Sequence, residues 1–414
     1  MKKATDVQKL QNSLLRFVAW LDRYGETSWD HQSYFAGPLG RRAKALYYRH
    51  RLVGTMAVAP MIFSEALVPS ARRLFWKPQR FPIADAHYAM GFAFLSQVLD
   101  SDEHYRRAVH FLEVLEETRC PRYERHGWGY PFDWETRNGT LKTGTPMITS
   151  LPYMYEAFRE VHRMDGKRHW FEVMRSIAEH ARLDYPDTVF SPTASTCAYT
   201  PDPADHGGVV NASAYRAGLL TYAAHDFGDD RYKRIADKNL NFVLESQNPD
   251  GSWFYSLDGA RDFVDHFHTC FVLKALAKIE QLGENQALTS AIDRGVSYYV
   301  ANLFDEDRLP KPFSRRPRMT VYKNELYDMA ECVNLAVLLR GRNQALDEIL
   351  SAVVNRGEWQ KRDGSFRSRR LFLGWDNVPM HRWAQSQMFR SLSLLLRQEK
   401  QGTVRELASQ ESMV

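Results

Sequence analysis

Residues 211–247 read NASAYRAGLLTYAAHDFGDDRYKRIADKNLNFVLESQ and contain the unit from which most of the chain is built. The first half is small or apolar on nearly every side of a helix, which is typical of a helix that is buried all round. After the short link FGDD, the second half is charged on one face and apolar on the other, so it should face water. The pattern predicts an antiparallel hairpin of one inner and one outer helix.

The same two-helix pattern recurs about every sixty residues from residue 84 onward. It predicts inner helices at 84–99, 146–163, 211–227, 265–282, 323–341 and 380–397. It predicts outer helices at 103–119, 168–183, 230–248, 286–303 and 343–356, and a sixth at the N-terminus, 5–24. Strict alternation of the two sets describes an all-α (α/α)6 toroid. We therefore divide the chain into an outer helix at 1–24, an insertion at 25–83 and the toroid domain at 84–414.

The links between the helices differ in length, and this difference locates the working face. Inner-to-outer links such as DSDE, MDGK and FGDD are short, whereas outer-to-inner links are several times longer. In a toroid the long links all lie over the N-termini of the inner helices, where backbone N–H groups favour an anion. Long loops in compact domains usually carry function. We therefore expect an acidic ligand at this end.

The long links are also rich in aromatic side chains, as in RHGWGYPFDWETRNG (125–139), NPDGSWFYSLDG (248–259) and RLFLGWDN (370–377). Flat rings among Asp, Asn, Glu and Arg suit a sugar, because its apolar face stacks on a ring while its hydroxyls form hydrogen bonds. The alternative is that these rings fill the mouth of the toroid as part of its core.

The net charge of +5 comes from one segment of the 414-residue chain. Residues 41–80 hold nine Lys or Arg and a single acid, Glu65, so that 46 of the 55 basic and 49 of the 50 acidic residues lie elsewhere. Such a balance argues against a nucleic-acid-binding protein. The four cysteines are widely spaced and predict neither a zinc site nor a disulfide framework. We expect a cytoplasmic protein without a cofactor.

The least polar stretch, LVGTMAVAPMIFSEALVP (52–69), lies between basic flanks. It contains Pro60 and Glu65 and is of marginal length for a membrane span. Positive flanks suit a segment that lies in an anionic lipid interface, so residues 41–80 are predicted to contact the inner face of the membrane. The alternative is a buried helical hairpin with a solvated basic collar. The N-terminal residues show no apolar region typical of a secretory signal.

The turn QNPDGSW (247–253), with its echo QKRDGSF (360–366), resembles a turn motif of α-toroid proteins. These proteins include terpenoid cyclases, prenyltransferase subunits, six-hairpin glycosidases, polysaccharide lyases and uronyl epimerases. The whole chain, including FPIADAHYAMGF (81–92) and GWGYPFDW (127–134), also resembles bacterial proteins of exopolysaccharide and lipopolysaccharide biosynthesis. The resemblance implies a glycan context. Together with the inner-helix N-termini, which favour an anion, it predicts a toroid that acts on an acidic oligo- or polysaccharide, free or lipid-linked, in surface-polysaccharide biosynthesis. It supplies no catalytic residues.

Lyases and C5-epimerases of uronic acids remove a proton next to a carboxylate, which requires a base, an acid and groups that neutralise the carboxylate. The sequence offers such residue types near the starts of the inner helices and in the long links. The candidate catalytic residues are Asn211, Tyr215, His266, Tyr255 and Asp133. The candidate substrate-binding residues are Trp128, Tyr130, Trp134, Trp253, His268, Arg261, Tyr327, Trp375, His381 and Arg382.

Other functions stay open at this point. A glycoside hydrolase would need two carboxylates across the cavity, from pairs such as Asp133 with Glu135, Asp262 with Asp265, or Asp328 with Glu331. A zinc site would draw on Asp262, His266, His268 and Cys270, but His268 should point away from the face that His266 and Cys270 share, so we predict no metal. A terpenoid cyclase has no support, because a DxDD motif is missing from the sequence. A non-catalytic protein that holds a lipid-linked glycan at the membrane would present the same mouth.

Overall fold

The computed structural model describes residues 6–137, 139–315 and 320–411. The inner helices are α5 Pro82–Leu99, α7 Leu151–Asp165, α9 Val210–Phe227, α11 His266–Glu280, α13 Leu326–Leu338 and α15 Ser386–Glu411. The outer helices are α1 Val7–Tyr24, α6 Asp102–Glu117, α8 Arg168–Leu183, α10 Asp230–Glu245, α12 Gln286–Asn302 and α14 Gln344–Val354. A π-helical turn, His381–Gln385, leads into α15. The first residue of the predicted N-terminal helix, residue 5, lies outside the described residues.

The inner helices form a closed ring. Each of α5, α7, α9, α11, α13 and α15 packs against the inner helix before it and the one after it, and α15 returns to pack against α5. The outer helices pack on this ring from outside, with α6 on α5, α10 on α9 and α1 on α15. The predicted (α/α)6 toroid is therefore confirmed.

The two helix classes differ in burial as the sequence pattern predicts. Almost every residue in the first three turns of α9 is buried, because its small side chains let neighbouring inner helices approach it from both sides. The following outer helix, α10, buries only the stripe that faces the ring and exposes its charged side to water. Hydrophobic burial on both classes of helix gives the toroid one continuous core.

The long outer-to-inner links carry all of the short strands. These are β1 Trp134–Thr136, β2 Gly139–Leu141, β3 Asp187–Val189, β4 Ser195–Cys197, β5 Val264–Asp265, β6 Phe313–Arg315, β7 Tyr322–Glu325, β8 Arg369–Leu371 and β9 Trp375–Asp376. They form small antiparallel sheets in the order β1-β2, β3-β4, β5-β6 and β7-β8-β9. The sheets give the loop end of the toroid a fixed shape.

The turn at Gln247 joins neighbouring outer helices. Its Asp250 accepts hydrogen bonds from the following Ser, and Gly251 adopts a φ of +91° that favours glycine. The Gln247 side chain donates to the carbonyl of Gly251 at 3.0 Å and to that of Ala291 in α12 at 2.9 Å. The motif thus closes its own turn and holds the next outer helix.

The second copy of the motif repeats these contacts. Gln360 donates to the carbonyl of Gly364 and to that of Ser13 in α1, both at 2.9 Å, and Gly364 has a φ of +100°. A Cβ on Gly364 would lie 2.2 Å from the carbonyl oxygen of Arg16, so only glycine fits. This copy therefore attaches the N-terminal helix α1 to the last repeat.

Between α1 and α5, the chain forms a helical arm that is fixed to the loop end. The arm contains α2 Ser33–Ala36, α3 Pro38–Arg49, α4 Arg51–Leu67 and a 3-10 helix, Pro69–Leu74. Glu65 of α4 accepts a hydrogen bond from Arg369 of β8 at 2.5 Å, and Arg72 forms an ion pair with Asp376. Among the described residues, no helix is long and apolar enough to cross a membrane.

Candidate functional site

A cavity of about 110 Å³ opens over the N-terminal ends of the inner helices, at the end that carries the long links. Each of the inner helices contributes to its wall through its first turns or the π-turn before it. The contributing residues include Ile83, Tyr153, Asn211, His268, Tyr327 and Arg382. The ends of the inner helices thus bring together side chains that are hundreds of residues apart in the chain.

His268 is held in the cavity wall by an acidic neighbour. Asp265 caps α11 and accepts the backbone N–H of His268 at 2.9 Å, as Asp commonly does at the start of a helix. The other carboxylate oxygen of Asp265 lies 2.6 Å from Nδ1 of the His268 ring. Because Nδ1 is engaged in this contact, we assign its proton to the Asp265 hydrogen bond, and Nε2 is then the nitrogen that can accept a proton.

A chain of polar groups runs from the cavity wall into the toroid. The hydroxyls of Tyr215 and Tyr153 lie 2.6 Å apart, and the Lys274 ammonium donates to the Tyr153 hydroxyl at 3.2 Å. Lys274 also forms an ion pair with Glu331, and both side chains are almost completely buried. Burial raises the pKa of Tyr215 and Tyr153 well above the ordinary value and lowers that of Lys274 to about 8. Tyr215 is therefore a neutral hydroxyl that can donate a proton.

Several polar atoms of the cavity wall lack a protein partner. The Asn211 side-chain oxygen and both polar atoms of the Gln387 amide are buried without a hydrogen bond to any described residue. Such groups are costly unless a ligand or water satisfies them, so they suit the hydroxyl or carboxylate groups of a sugar.

Arg382 supplies positive charge to the same wall. Its Nη2 lies 2.6 Å from Oδ2 of Asp30, and its guanidinium lies 4.9 Å from the Tyr130 ring and 4.8 Å from the Trp383 ring. No Asp or Glu is found among the described residues that line the cavity. The described lining therefore contains one guanidinium, which is paired with Asp30 behind it, and no carboxylate.

Aromatic rings form much of the remaining wall. Trp128, Tyr130 and Tyr327 line the cavity as the sequence indicated, and Tyr199 and Trp383 line it as well. The indole N–H of Trp128 is engaged by the carbonyl of Leu115 at 2.8 Å. The cavity thus has flat apolar surfaces beside polar groups, which is the combination that binds a sugar ring.

Two predicted histidines lie behind the wall instead of in it. His266 packs outward, 2.8 Å from the Tyr299 hydroxyl of α12, and burial lowers its pKa to about 3. His381 lies between the Tyr88 hydroxyl at 2.5 Å and the carbonyl of Gly25 at 3.0 Å, and burial lowers its pKa to about 4. Both rings join inner helices to their surroundings, and the structure brings neither to the cavity.

The loop before α11 supports the wall from outside. The Tyr255 ring lies 4.6 Å from the His268 ring and 4.8 Å from that of Phe263, and burial raises its pKa to about 12. Trp253 is buried and donates to the carbonyl of Val243 at 2.9 Å. Arg261 is paired with the loop carboxylate of Asp258 at 2.5 Å. These predicted residues are neighbours of the cavity, and none of them lines it.

The remaining predicted residues have structural partners away from the cavity. Asp133 accepts the backbone N–H of Thr143 at 2.8 Å, a hydrogen bond that lowers the pKa of Asp133, and pairs with Arg41 at 3.1 Å. The Trp134 ring is covered by the Lys44 ammonium, 2.9 Å from its centroid. Trp375 packs edge-on against another indole ring, 4.9 Å between centroids. The structure therefore does not bring Asp133, Trp134 or Trp375 to the cavity.

The cluster considered for zinc is spread over different surroundings. Asp262 pairs with Arg315 on the surface, whereas Cys270 is buried near the Tyr299 hydroxyl. In the ranges that the structure describes, no three His, Cys, Asp or Glu side chains are grouped as a metal site.

The sequence interpretation missed the interior of the polar chain. Tyr153 lies in the first turn of inner helix α7, and Lys274 and Glu331 lie deeper in their own helices. A signal was present, because Lys274 interrupts the apolar run HTCFVLKALAKI in a helix that is buried on most sides. A charged residue at such a position requires a partner, which here is Glu331.

The overall structure is similar to solved enzymes with low sequence identity. An unsaturated glucuronyl hydrolase from Bacillus sp. GL1, described as responsible for glycosaminoglycan degradation, matches with a TM-score of 0.60 and 12% identity, over 94% of this chain and 96% of that one. A cellobiose 2-epimerase from Bacillus thermoamylovorans matches with a TM-score of 0.61 and 8% identity, over 77% and 87%. A polysaccharide lyase matches with a TM-score of 0.52 and 13% identity, over 78% and 90%.

These similarities show a shared toroid fold. A scan against protein-family models and a search of curated proteins found no match to the chain.

Proposed function

We propose that this protein is a carbohydrate-active enzyme that transfers a proton at a carbon next to the carboxylate of an acidic glycan, as lyases and C5-epimerases do. The observation that carries the proposal is the Asp265-supported His268 in a cavity whose described lining contains Tyr215 and no carboxylate. A histidine oriented by a carboxylate is suited to accept a proton near neutral pH.

In this mechanism, Nε2 of His268 takes the proton from the carbon next to the carboxylate. The electron pair left on carbon delocalises into the carboxylate, and the charge that develops there needs donors. The Asn211 and Gln387 amides and the Arg382 guanidinium are among the groups in the wall that can supply them. Positive charge and amide donors thereby lower the energy of the enolate-like intermediate.

Tyr215 is the proton donor for the second half of the reaction. In an epimerase it protonates the same carbon from the opposite face. In a lyase it protonates the glycosidic oxygen as the carbon–oxygen bond breaks and a carbon–carbon double bond forms. Its high pKa keeps it protonated, and the chain through Tyr153 to Lys274 provides a route to restore its proton.

The fold comparisons support a glycan as the substrate class, because the similar structures are described as an epimerase, a lyase and a hydrolase of carbohydrates. The aromatic wall supports the same class. We place the reaction in surface-polysaccharide biosynthesis, with a free or lipid-linked substrate, and this setting is supported by the sequence resemblance alone.

A glycoside hydrolase is the second candidate function. Asp328 lies next to the cavity-lining Tyr327, and burial raises its pKa well above that of an ordinary carboxyl, with Glu325 and Asp265 adding to the effect. A neutral Asp328 together with the Asp265 carboxyl would supply the two carboxyl groups that hydrolases use. Neither carboxylate lines the cavity, so a hydrolase would require the wall to open.

The test is proton NMR in deuterated buffer with a panel of uronate-containing and neutral oligosaccharides. Unsaturated uronate signals identify a lyase, and deuterium at C5 identifies an epimerase. Both should be lost in Tyr215→Phe and in His268→Ala, and retained in His169→Ala, which removes an exposed histidine from outer helix α8. New reducing ends without unsaturated sugars would identify a hydrolase and contradict the proposal.

A further inference from the structure

The outer face of α4 exposes a continuous row of large apolar side chains. Leu52, Met56, Phe63 and Leu67 are 85%, 68%, 65% and 62% exposed. Their spacing of four, seven and four residues places them on one side of the helix. Leu39 and Leu74 extend the exposed apolar surface at both ends of the arm. A patch of this kind on a soluble domain indicates a surface that is covered by a partner.

The charges around this patch have one sign. The exposed basic residues of the arm are Arg42, Arg49, Arg51, Arg73 and Lys77. The single acid in residues 41–80, Glu65, is buried and bonded to Arg369. The exposed surface of the arm therefore offers apolar contact and positive charge together.

The arm is held rigidly, so the patch is a defined surface. A Cβ at Gly54 would lie 2.1 Å from the Cα of Tyr47, which shows how closely α3 and α4 pack. Two arginines of the arm have structural roles. Arg72 is fully buried against Asp376, and Arg41 pairs with Glu135 at 3.0 Å. These two are therefore excluded from the set of charges available to a partner.

The patch lies at the same end of the toroid as the cavity. Arg41 and Lys44 of α3 contact the loop residues Asp133 and Trp134, and that loop supplies Tyr130 to the cavity wall. Glu65 of α4 is connected through Arg369 to Glu325, the N-cap of inner helix α13, at 2.6 Å. A partner on the patch would therefore lie beside the cavity mouth.

We propose that the α3–α4 surface docks on a lipid bilayer that carries anionic headgroups, with the apolar row of α4 in the interface and the arginines among the headgroups. Apolar side chains flanked by basic ones are what such an interface binds. A second copy of the chain fits poorly, because symmetric pairing would bring two surfaces of the same positive sign together. The docking does not depend on the chemistry in the cavity.

The test is flotation of the full chain with vesicles of phosphatidylcholine, with and without phosphatidylglycerol. We expect flotation with the anionic vesicles and little with the neutral ones. One variant reverses four exposed charges of the arm, Arg42→Glu, Arg49→Glu, Arg51→Glu and Arg73→Glu. Its matched control reverses four exposed charges on outer helices, Arg106→Glu, Arg168→Glu, Arg234→Glu and Lys238→Glu. Both variants change the net charge equally.

The arm variant should bind anionic vesicles more than about a hundredfold more weakly, since each basic residue near such a surface contributes roughly fivefold. The matched control should lose far less of its binding to anionic vesicles. A second variant, Met56→Ser with Phe63→Ser, should also lose binding while it keeps its circular dichroism spectrum. Equal loss in the arm variant and its control would overturn the proposal. It would also be overturned if wild type never floats with the anionic vesicles, and conversion of a dimer to a monomer by the apolar variant in sedimentation would then identify a second copy as the partner.

Discussion

The polar chain behind the cavity wall buries charged side chains inside the toroid, whereas the α3–α4 surface exposes apolar side chains to water. Lys274 and Glu331 are almost completely buried, while Leu52 and Met56 of α4 are mostly exposed. Each arrangement is costly for an isolated globular protein. The two unusual regions lie at the same end of the fold, and we propose a different kind of partner for each of them.

The largest expected effect on stability comes from breaking the buried ion pair behind the cavity wall. Lys274→Met leaves Glu331 as an unpaired buried charge, which should cost about 3–5 kcal/mol of unfolding free energy. The double variant Lys274→Met with Glu331→Gln removes both charges and should recover most of that loss. Urea unfolding measures the unfolding free energies of the single and the double variant. If Lys274→Met alone were as stable as wild type, the pair would not be buried as described.

The same variants separate stability from function. The double variant should fold but turn over slowly, because Tyr153 loses the ammonium that donates to its hydroxyl. In wild type the pKa of Lys274 is about 8, so activity should fall as the pH rises through that value. A pH–rate profile that is unchanged in the double variant would show that the Lys274 ammonium does not serve the cavity.

A smaller effect on the unfolding free energy is expected when acid protonates the neutral histidines behind the cavity wall. The pKa values of His266 and His381 are about 3 and about 4 in the folded chain, below the ordinary value of 6.5. Between the folded and the ordinary pKa values, each of these histidines is protonated in the unfolded chain and neutral in the folded chain. The folded chain is therefore fully stabilised above pH 6.5, and its unfolding free energy decreases as the pH falls below that value. The loss should reach about 2 kcal/mol per histidine near pH 5.

This acid dependence is measured by urea unfolding between neutral pH and pH 5 in wild type, His266→Gln and His381→Gln. Each of these two variants should lose about 2 kcal/mol less unfolding free energy than wild type between neutral pH and pH 5. His169→Gln, at an exposed position, should leave it unchanged. An equally steep acid loss in both buried variants would assign the effect to other groups.

The smallest effect on stability is expected for substitutions on the α3–α4 surface. Met56→Ser with Phe63→Ser should change the unfolding free energy by no more than about 0.5 kcal/mol per site, because exposed side chains pack against little. Thermal or urea unfolding checks this. A loss of several kcal/mol would mean that these side chains belong to the core, and would contradict their assignment to a docking surface.

Much of the fold could be predicted because the toroid repeats one pattern. The third inner helix was placed at 211–227 and is found at Val210–Phe227. Larger differences have local causes. The second inner helix, placed at 146–163, begins at Leu151 because Pro152 suits the first turn of a helix. The fifth, placed at 323–341, begins at Leu326 because Tyr322–Glu325 pairs with β8 as a strand, a long-range contact that local periodicity does not report.

The site was predictable only in part, because helix starts can be located but their orientation cannot. His266 and His268 are two residues apart on α11, so they point to different sides, and only His268 lines the cavity. Tyr215 and Asn211, one turn apart, both line it. Lys274 was missed because it lies two turns beyond the helix start, where sequence position alone indicates core.

The most direct test of the proposed proton transfer is the rate of solvent deuterium incorporation into a uronate-containing glycan recovered from the reaction. We expect wild type either to label the carbon next to the carboxylate or to convert the uronate to an unsaturated product. His268→Ala should do so about 10²–10⁴-fold more slowly, as removal of a general base does, while His169→Ala should react at the wild-type rate. Reaction of His268→Ala at the wild-type rate, or cleavage by wild type that yields reducing ends with neither label nor unsaturated uronate, would contradict the assignment of His268 as the proton acceptor.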